Sequence, residues 1–566
     1  MKKEDEEKVS GLPENAYREL KEGEVYKPIL SPDKQYREVT PWSVFWGLVM
    51  AVLFSAAAAF LGLKVGQVFE AAIPIAIIAV GLSSGFKRKN ALGENVIIQS
   101  IGANSGVIVA GAIFTLPALY ILQDKYPEIT INFFEVFMSS LLGGILGILL
   151  LIPFRKYFVS TMHGKYPFPE ATATTQVLVS GEKGGNQAKP LIYAGLVGGL
   201  YDFIIATFGW WSETVSTRIV GVGEMLADKA KVVFKVNTGA AVLGLGYIIG
   251  LKYSAIICAG SFLVWLVIIP LMSAIFGSEV LTFGNDAITQ TVGSMSAEEI
   301  FTTYAKELKG KTGIVQTEEI RTQKDLSMKV IAIGIFATLI VTYLFFHFGV
   351  LDNWYYALIG LLIVGIITFL FTTVAANAIA IVGTNPVSGM TLMTLILASI
   401  ILVAVGLKGT AGMVSALIIG GVVCTALSMA GGFITDLKIG YWIGSTPAKQ
   451  ESWKFLGTLV SAATVGGVIL ILNQTYGFTS GQLAAPQANA MAAVIEPLMS
   501  GSGAPWALYA IGAVLAIILN FCKIPALAFA LGMFIPLELN TPLLIGGAIS
   551  WYVGSRSQDQ ALNSVR

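Results

Sequence analysis

Residues 353–407 read NWYYALIGLLIVGIITFLFTTVAANAIAIVGTNPVSGMTLMTLILASIILVAVGL and contain no Asp, Glu, Lys or Arg. About 20 consecutive apolar residues are enough for an α-helix to cross the hydrocarbon core of a bilayer. The stretch is therefore long enough for two spans, which we place at about 354–376 and 389–407. Between them, Gly383-Thr384-Asn385-Pro386-Val387-Ser388-Gly389 is typical of a helix break followed by a new helix start.

The composition of the whole chain extends this pattern. Charged residues make up 13% of the 566 residues, against about 25% in a typical soluble domain. Hydrophobic residues make up 55%, and the mean hydropathy is +0.73. These values exclude a water-soluble multidomain enzyme and a disordered chain. The net charge of +1 also excludes a global field for binding nucleic acid.

The apolar runs predict an all-α polytopic membrane protein with about 14 transmembrane helices, plus re-entrant or broken segments. The predicted spans are 42–64, 71–86, 92–122, 132–154, 190–211, 253–276, 328–350, 354–376, 389–407, 409–429, 456–474, 505–521, 524–538 and 541–555. Basic clusters at Lys87-Arg88-Lys89 and Arg155-Lys156 follow the second and fourth spans. With a cytoplasmic N-terminus, both clusters face the cytoplasm of a multi-pass protein of the inner (plasma) membrane, as the positive-inside rule requires.

The polar stretches divide the chain into four parts. Residues 1–40 are hydrophilic and are expected to form a mobile cytoplasmic tail. Residues 41–280 form a first transmembrane half, 281–325 a polar connecting loop, and 326–566 a second transmembrane half. The sequence Pro169-Glu170-Ala171-Thr172-Ala173 is echoed in the second half by Pro486-Gln487-Ala488-Asn489-Ala490, which indicates that the two halves are related.

Some apolar or small-residue segments are too short or too interrupted for ordinary spans. Irregular backbone at membrane depth is tolerated only where protein or a watery cavity satisfies its polar groups. Transporters build substrate sites from such broken helices. The segments are 165–182, 237–250, 377–388, 430–445 and 480–500.

The first candidate site is the stretch from Met162 to Thr174. Pro169 suits the first turn of a helix, which places Glu170 where the helix dipole favours an anion. One interpretation is that Glu170 binds a substrate cation or takes up a coupling proton. The other is that it only stabilises the helix start. His163 is either a proton relay near neutral pH or an ordinary interfacial histidine.

The second candidate site is the break at 383–391. Free N–H groups at a helix start there, with Asn385 and Ser388 nearby, can receive a carboxylate. A peptide brings one carboxylate and one ammonium, so this break and an acidic side chain would make a suitable pair. The alternative is a plain capped helix. Glu94, at the start of the third span, is an intramembrane acid or an interfacial one, and Asn104 lies within the same span.

Other classes of chemistry find little support in the sequence. The three cysteines, Cys258, Cys424 and Cys522, lie far apart in apolar runs, and two histidines are too few for a His-rich metal site. No P-loop, HExxH or CxxC motif occurs. We therefore expect no catalytic residues, no metal ligands and no cofactor.

Several stretches together resemble the oligopeptide transporter (OPT) family, and in particular its bacterial branch related to the yellow-stripe-like transporters. They follow in order along most of the chain: Leu61–Gly66, Asn95–Gly102, Ala112–Leu119, His163–Gly185, Asn385–Thr391, Asp436–Tyr441, Pro486–Ala488 and Val494–Glu496. The most specific stretch is His163–Gly185. Its acidic motif, commonly Pro-Tyr-Pro-Glu in the family, reads Pro167-Phe168-Pro169-Glu170 here, so an aromatic ring is kept and a hydroxyl is lost.

The resemblance implies a carrier of roughly sixteen spans, built from two related halves and driven by the proton gradient. Because the family pattern continues beyond the last predicted span, it leaves open that the second half is short at its C-terminus. We expect a symporter that imports oligopeptides by alternating access. The alternative is an importer of metal-chelate, siderophore-like complexes, and the remote one is an intramembrane enzyme. Membrane lipid and protons are expected partners, and a homodimer is possible on the sequence.

The expected site residues fall into two groups. The residues predicted to contact substrate are Glu170, Tyr166, Phe168, Thr172, Asn385, Ser388, Gln487, Asn489 and Asn104. The residues predicted to take part in proton coupling are Glu170, Glu94 and His163.

Overall fold

The structure is a computed structural model of the chain. It describes residues 12–21, 24–65, 68, 71–182, 188–212, 214–249, 251–278, 291–297, 325–351, 353–383, 387–478, 485–500, 506–522, 524, 529, 533 and 537–556. Most of the expected connecting loop at 281–325 therefore lies outside the described residues.

Long apolar segments that lack internal charges fold as helices, because a helix satisfies its own backbone groups away from water. The first transmembrane half contains α1 Pro41–Val65, α2 Ala72–Gly85, α3 Leu92–Gly102, α4 Asn104–Ile113, α5 Pro117–Lys125, α6 Phe133–Leu151, α7 Pro169–Glu182, α8 Ala188–Phe208, α9 Gly221–Lys229, α10 Ala240–Ile249, α11 Leu251–Phe262 and α12 Ile269–Phe276. The second contains α13 Met328–Phe346, α14 Trp354–Val382, α15 Val387–Ala404, α16 Gly409–Ile443, α17 Pro447–Tyr476, α18 Pro486–Ser500, α19 Trp506–Phe521 and α20 Leu537–Arg556. A short antiparallel ribbon pairs β1 Thr214–Ser216 with β2 Lys235–Asn237.

Within the described residues, eight helical stretches are long and apolar enough to cross a membrane. They are Pro41–Leu63, Leu92–Lys125, Phe133–Phe154, Ser254–Ile275, Met328–Leu351, Trp354–Ile381, Gly409–Ile443 and Pro447–Tyr476, and shorter apolar helices lie at Ala72–Gly85, Met390–Ala404 and Ala510–Leu519. The prediction of an all-α polytopic membrane protein is thus confirmed. The predicted span at 524–538 lies mostly outside the described residues.

Helix α16 forms the centre of the bundle and is almost completely buried from Gly412 to Ile443. Helix α6 approaches it closely because α6 carries glycines one turn apart at Gly143 and Gly147. A Cβ atom at either glycine would lie 2.3 Å from a backbone carbonyl oxygen of α16, that of Val422 or Ala426. Small residues at such spacing let membrane helices pack backbone to backbone.

The prediction of a break in α16, with a span at 409–429 and an irregular segment at 430–445, is wrong. The helix runs without interruption for 35 residues. Its glycines serve helix packing: a Cβ at Gly432 would lie 2.3 Å from the Val107 side chain. The segment contains no proline, so nothing in it removes a helical hydrogen bond.

The N-terminal segment, expected to be mobile, packs against the transmembrane body through its described residues. The Leu30 N–H donates to the Ile443 carbonyl (2.7 Å), and the Tyr26 hydroxyl donates to that of Trp442 (2.8 Å). The Trp442 indole N–H in turn donates to the Ala16 carbonyl (3.2 Å). The tail therefore covers the C-terminal end of α16.

Glu38 fixes the end of this tail to the turn between α16 and α17. Its buried carboxylate accepts hydrogen bonds from the Ser445 hydroxyl (3.0 Å) and from the Thr446 N–H and hydroxyl (both 2.9 Å). Lys449 Nζ lies 3.3 Å from the same carboxylate. A negative group at the start of α17 also interacts favourably with the helix dipole.

The two copies of the sequence echo are separated by a fixed number of residues along the chain. Several helices of the first half have a counterpart in the second half at the same separation. Helices α1, α2, α7 and α8 of the first half match α14, α15, α18 and α19 of the second to within a few residues. The long α16 corresponds to the interrupted series from α3 to α5, and α17 corresponds to α6. The boundaries of the two halves themselves stay a prediction.

Candidate functional site

The first interrupted segment ends where α7 begins, and it is bound to the end of α14. Phe168 has a positive φ of 41°, and its N–H donates to the Ala380 carbonyl (2.9 Å). Gly383, which ends α14 with a φ of 74°, lies against the ring of Pro169: a Cβ there would be 3.1 Å from it. Two of the predicted broken segments, 165–182 and 377–388, therefore meet.

The second interrupted segment shows the same arrangement, but here the helix start belongs to the second half and the carbonyl that binds it belongs to the first. Ala485, which precedes α18, has a positive φ of 37°, and its N–H donates to the Leu63 carbonyl (3.0 Å). Phe168 and Ala485 immediately precede the two copies of the echo, and Leu63 and Ala380 are related by the same offset. Each half thus supplies the carbonyl that binds the helix start of the other half.

Glu170 and Gln487 occupy equivalent positions, the second residue of α7 and of α18. Both side chains are 5% exposed. The two breaks therefore carry nearly isosteric side chains that differ in charge. A buried acid within a transmembrane bundle is expensive and usually functional.

Two further residues that were predicted to contact substrate form hydrogen bonds at the helix starts. The Thr172 hydroxyl donates to the Pro167 carbonyl (3.2 Å), and its equivalent, Asn489, donates to the carbonyls of Ala485 and Phe478 (both 3.3 Å). These bonds tie the first turn of each helix to the segment before it.

The predicted aromatic wall is present beside Glu170 in the chain. The half-buried Tyr166 ring lies 6.3 Å from the Phe168 ring, edge to face, and Phe168 is 1% exposed. Lys438 of α16 is almost completely buried, with its ammonium 5.5 Å from the centre of the Phe168 ring and 4.8 Å from that of Tyr441. Its Nζ donates to the Val159 carbonyl (2.8 Å). A cation is thus held by aromatic faces next to the first break.

Two predicted residues cannot be placed with the others. Asn385 lies outside the described residues. Ser388 belongs to α15, but its side chain is not among those described. Their contacts with substrate stay a prediction.

Glu94 is held by local partners at the start of α3. Arg88 pairs with it through two hydrogen bonds (2.7 and 2.9 Å), and the Thr40 hydroxyl donates a third (2.7 Å). The bonds from Arg88 raise the pKa of that guanidinium and hold it in its charged form. The structure therefore places Glu94 in an ion pair with Arg88, and its role in coupling stays a prediction.

His163 is buried between the N-terminal tail and α16. Its Nε2 lies 2.7 Å from the Asn15 carbonyl, to which it donates, and its ring lies 5.1 Å from that of Tyr26 and 5.6 Å from that of Tyr441. Burial, and next the charge of Lys438, lower the pKa of His163 to about 4. The ring is therefore neutral at neutral pH and anchors the tail.

Asn104 belongs to a different polar cluster, between α4 and α17. Its Nδ2 donates to the Ile101 carbonyl (2.9 Å), and its Oδ1 accepts from Thr458 (3.0 Å). One turn before Thr458, Lys454 Nζ lies 2.5 Å from Asp436 Oδ2 and donates to the Ser100 carbonyl (2.9 Å).

Asp436 and Lys454 form a buried ion pair that the sequence analysis missed. Their side chains are 1% and 0% exposed, and the Gln99 amide donates to the second oxygen of Asp436 (2.7 Å). The sequence does contain a signal for this pair, because ionisable residues inside apolar helices are functional candidates by default. The sequence pattern places Asp436 in an irregular segment, where a charge is less surprising.

A second buried group of charges connects the start of the second half to the first. The guanidinium of Arg155 is completely buried and pairs with Asp325, which is 10% exposed. The buried carboxyl group of Glu451 accepts from the Leu326 N–H (2.7 Å) and forms a hydrogen bond with Asp325. Arg155, one of the residues used to orient the chain, thus pairs internally, which weakens its value as an orientation signal.

Metal-binding chemistry has no support in the described part of the chain. No group of three or more His, Cys, Asp or Glu side chains there is arranged to hold a metal ion. Cys258 and Cys424 are buried free thiols, and Cys522 is an exposed one.

The fold and the paired breaks define a polytopic helical membrane protein whose halves meet through interrupted helices. A family model described as OPT oligopeptide transporter protein matches residues 38–307 and 273–564. The chain belongs to this family, as the motifs predicted. It is also 26% identical, over 560 residues, to a putative oligopeptide transporter of Haemophilus influenzae, with 87% of this chain and 85% of the relative covered. The branch related to yellow-stripe-like proteins stays a prediction.

Proposed function

We propose that this protein imports oligopeptides together with protons, by alternating access. The observation that carries the proposal is the pair of equivalent breaks, each bound to the opposite half, with Glu170 buried at one and Gln487 at the other. The family, and the name of the Haemophilus relative, support peptides as the substrate class.

Glu170 is the residue we assign to proton coupling or to the substrate ammonium. A carboxylate in the first turn of α7 is stabilised by the helix dipole, but its burial favours the neutral form. Gln487 is permanently neutral at the equivalent position, so a proton can bind at only one of the two breaks.

The way that the halves are joined supports the proposal of alternating access. The inter-half hydrogen bonds Phe168–Ala380 and Ala485–Leu63 lie at helix ends, where rigid bodies can rotate with small backbone changes. The Asp436–Lys454 pair of the second half, bound to Gln99 and Ser100 of the first, is a further contact that such a movement would change. We assign to it a supporting role in coupling.

The test uses purified protein in proteoliposomes with an inward proton gradient. Wild-type protein should accumulate a labelled tripeptide, and Glu170→Gln should abolish accumulation. Exchange of internal for external peptide without a gradient separates the two roles. If Glu170→Gln retains exchange, Glu170 binds the coupling proton; if exchange is lost as well, it binds the substrate.

Glu135→Gln is the matched control. Glu135 is also in the first turn of a transmembrane helix, but its N–H and carboxylate are bound locally by the Asn132 side chain (3.0 and 2.8 Å). It should leave uptake unchanged. Unchanged gradient-driven uptake by Glu170→Gln would refute its assignment, and accumulation without any proton gradient would refute proton coupling.

A further inference from the structure

A cavity of about 400 Å³ lies at the turn between α2 and α3, beside the C-terminal part of α7. Its wall contains three consecutive basic residues, Lys87, Arg88 and Lys89, together with the polar side chains of Ser84 and Asn95. Glu94 is the carboxylate at this turn, and Arg88 already neutralises it. Within the described part of the chain, neither lysine forms an ion pair, so the wall carries an uncompensated positive charge.

Asn95 gives the cavity a directed hydrogen-bond donor. The side chain is 2% exposed and lines the cavity, and its Oδ1 accepts from the Ser83 hydroxyl (2.6 Å). Its Nδ2 has no hydrogen-bond partner among the described residues. The uncapped N-terminus of α3, which starts at Leu92, faces the same turn and adds the positive end of a helix dipole.

Aromatic rings surround this turn as they do at the headgroup level of a bilayer. Trp42 packs edge to face against Trp46 and Phe86, with ring centres 5.7 and 5.0 Å apart, and the Arg88 guanidinium lies 4.9 Å above the Trp42 ring. Phe86 is 64% exposed. Exposed aromatic rings beside basic residues at the end of a membrane helix are typical of the membrane–water interface.

We propose that this cavity binds the phosphate of an anionic phospholipid headgroup. Lys87 and Lys89 supply charge, Asn95 supplies a hydrogen bond to a phosphate oxygen, and the acyl chains lie along the exposed rings of Phe45 and Phe86. Basic pockets between transmembrane helices recognise anionic headgroups in this way. The aromatic rings favour a lipid over free phosphate, since they contribute only if an acyl chain accompanies the charge.

The test is a titration of detergent-solubilised full-length protein with phosphatidylglycerol, phosphatidylcholine or inorganic phosphate, with binding measured by native mass spectrometry. Wild-type protein should prefer phosphatidylglycerol to phosphatidylcholine. K87Q/K89Q should weaken phosphatidylglycerol binding by about 10- to 30-fold, at roughly 1 kcal/mol for each lysine, and leave phosphatidylcholine binding unchanged. Ser84→Glu, which adds a negative charge to the wall without removing a packed side chain, should have the same effect.

The matched control is K329Q/K408Q, which removes two exposed lysines elsewhere in the described structure. It should change phosphatidylglycerol binding by less than about 2-fold, because a lysine outside the site lies beyond contact with the bound headgroup. Equal losses in K87Q/K89Q and K329Q/K408Q would overturn the site. Inorganic phosphate that binds as tightly as the lipid would overturn the assignment to a lipid.

Discussion

Asp436 and Lys454 lie 2.5 Å apart, at the contact between the two halves, with both side chains shielded from solvent. Removing one partner of a buried ion pair leaves an uncompensated charge, which costs about 3–5 kcal/mol, whereas replacing both by apolar residues is often nearly neutral. Lys454→Met should therefore lower the free energy of unfolding by about that amount. Asp436→Leu combined with Lys454→Met should recover most of it.

Thermal unfolding in detergent, together with proteoliposome uptake, checks this prediction. If the pair contributes to coupling, the double variant is stable but does not accumulate peptide when an inward proton gradient is applied. A double variant that is stable and fully active would assign the pair to structure alone.

The contact between α6 and α16 predicts a difference between two glycine substitutions. Gly147→Ala would place a methyl group 2.3 Å from the Ala426 carbonyl oxygen, and overpacking of this kind costs about 1–3 kcal/mol. Gly365→Ala, in the middle of α14, meets no atom within 4 Å and should be neutral or stabilising by up to about 1 kcal/mol. Thermal unfolding of both variants measures the difference, and equal effects would contradict the packing described.

Gly164 has no side chain, which allows the N-terminal tail to pack closely against it. The effect of this close contact can be tested separately from the effect of backbone strain. Gly164 has a φ of 76°, and a Cβ there would lie 2.1 Å from the Arg18 backbone. Gly209, with a φ of 57°, carries a similar strain but faces open space. Gly164→Ala should release the tail, so that limited proteolysis cleaves within residues 12–40 faster than in wild type. Gly209→Ala should leave the cleavage rate unchanged.

The pH dependence of stability should contain a contribution from His163. Its folded pKa of about 4 lies below the usual value of roughly 6.5, so as pH falls the unfolded chain takes up this proton first. The contribution is fully present above about pH 6.5 and decreases as pH falls towards 4. Lys438 and Arg18 oppose the proton, while Glu24 and the Asn15 carbonyl favour it.

His163→Gln keeps a neutral hydrogen-bond donor for the Asn15 carbonyl but cannot titrate. Its melting temperature should therefore fall less than that of wild type between pH 7 and 4.5. An identical fall in both proteins would show that His163 does not contribute to the pH dependence of stability between pH 7 and 4.5.

Local sequence was sufficient for features that depend on neighbouring residues. The charge-free run at 353–407 predicted the helices α14 and α15, and the two prolines before Glu170 predicted the helix start at Pro169. The repeated Pro-x-Ala-x-Ala pattern indicated only that the two halves are related. The echo did not reveal which carbonyls those starts would bind. Phe168 and Ala380 belong to different halves of the chain, and no pattern in one segment describes its partner in the other half.

The missed features depend on contacts between distant segments. Glycine-rich stretches predict breaks when read alone, yet Gly431-Gly432 lies inside a continuous helix because other helices pack against it. The sequence predicts a mobile tail, but Glu38 accepts hydrogen bonds from Ser445 and Thr446, more than 400 residues further along the chain. Asp436 and Lys454 are close in sequence, but the turn that brings α17 back along α16 was needed to pair them.

The exchanged hydrogen bonds at Phe168 and Ala485 have a thermodynamic consequence. Because each half completes a helix start of the other, a ligand that distorts one start also strains the bond that the opposite half makes with it. Linkage requires this effect to be reciprocal. If substrate and proton bind at the two breaks as proposed, each would therefore change the affinity for the other without touching it.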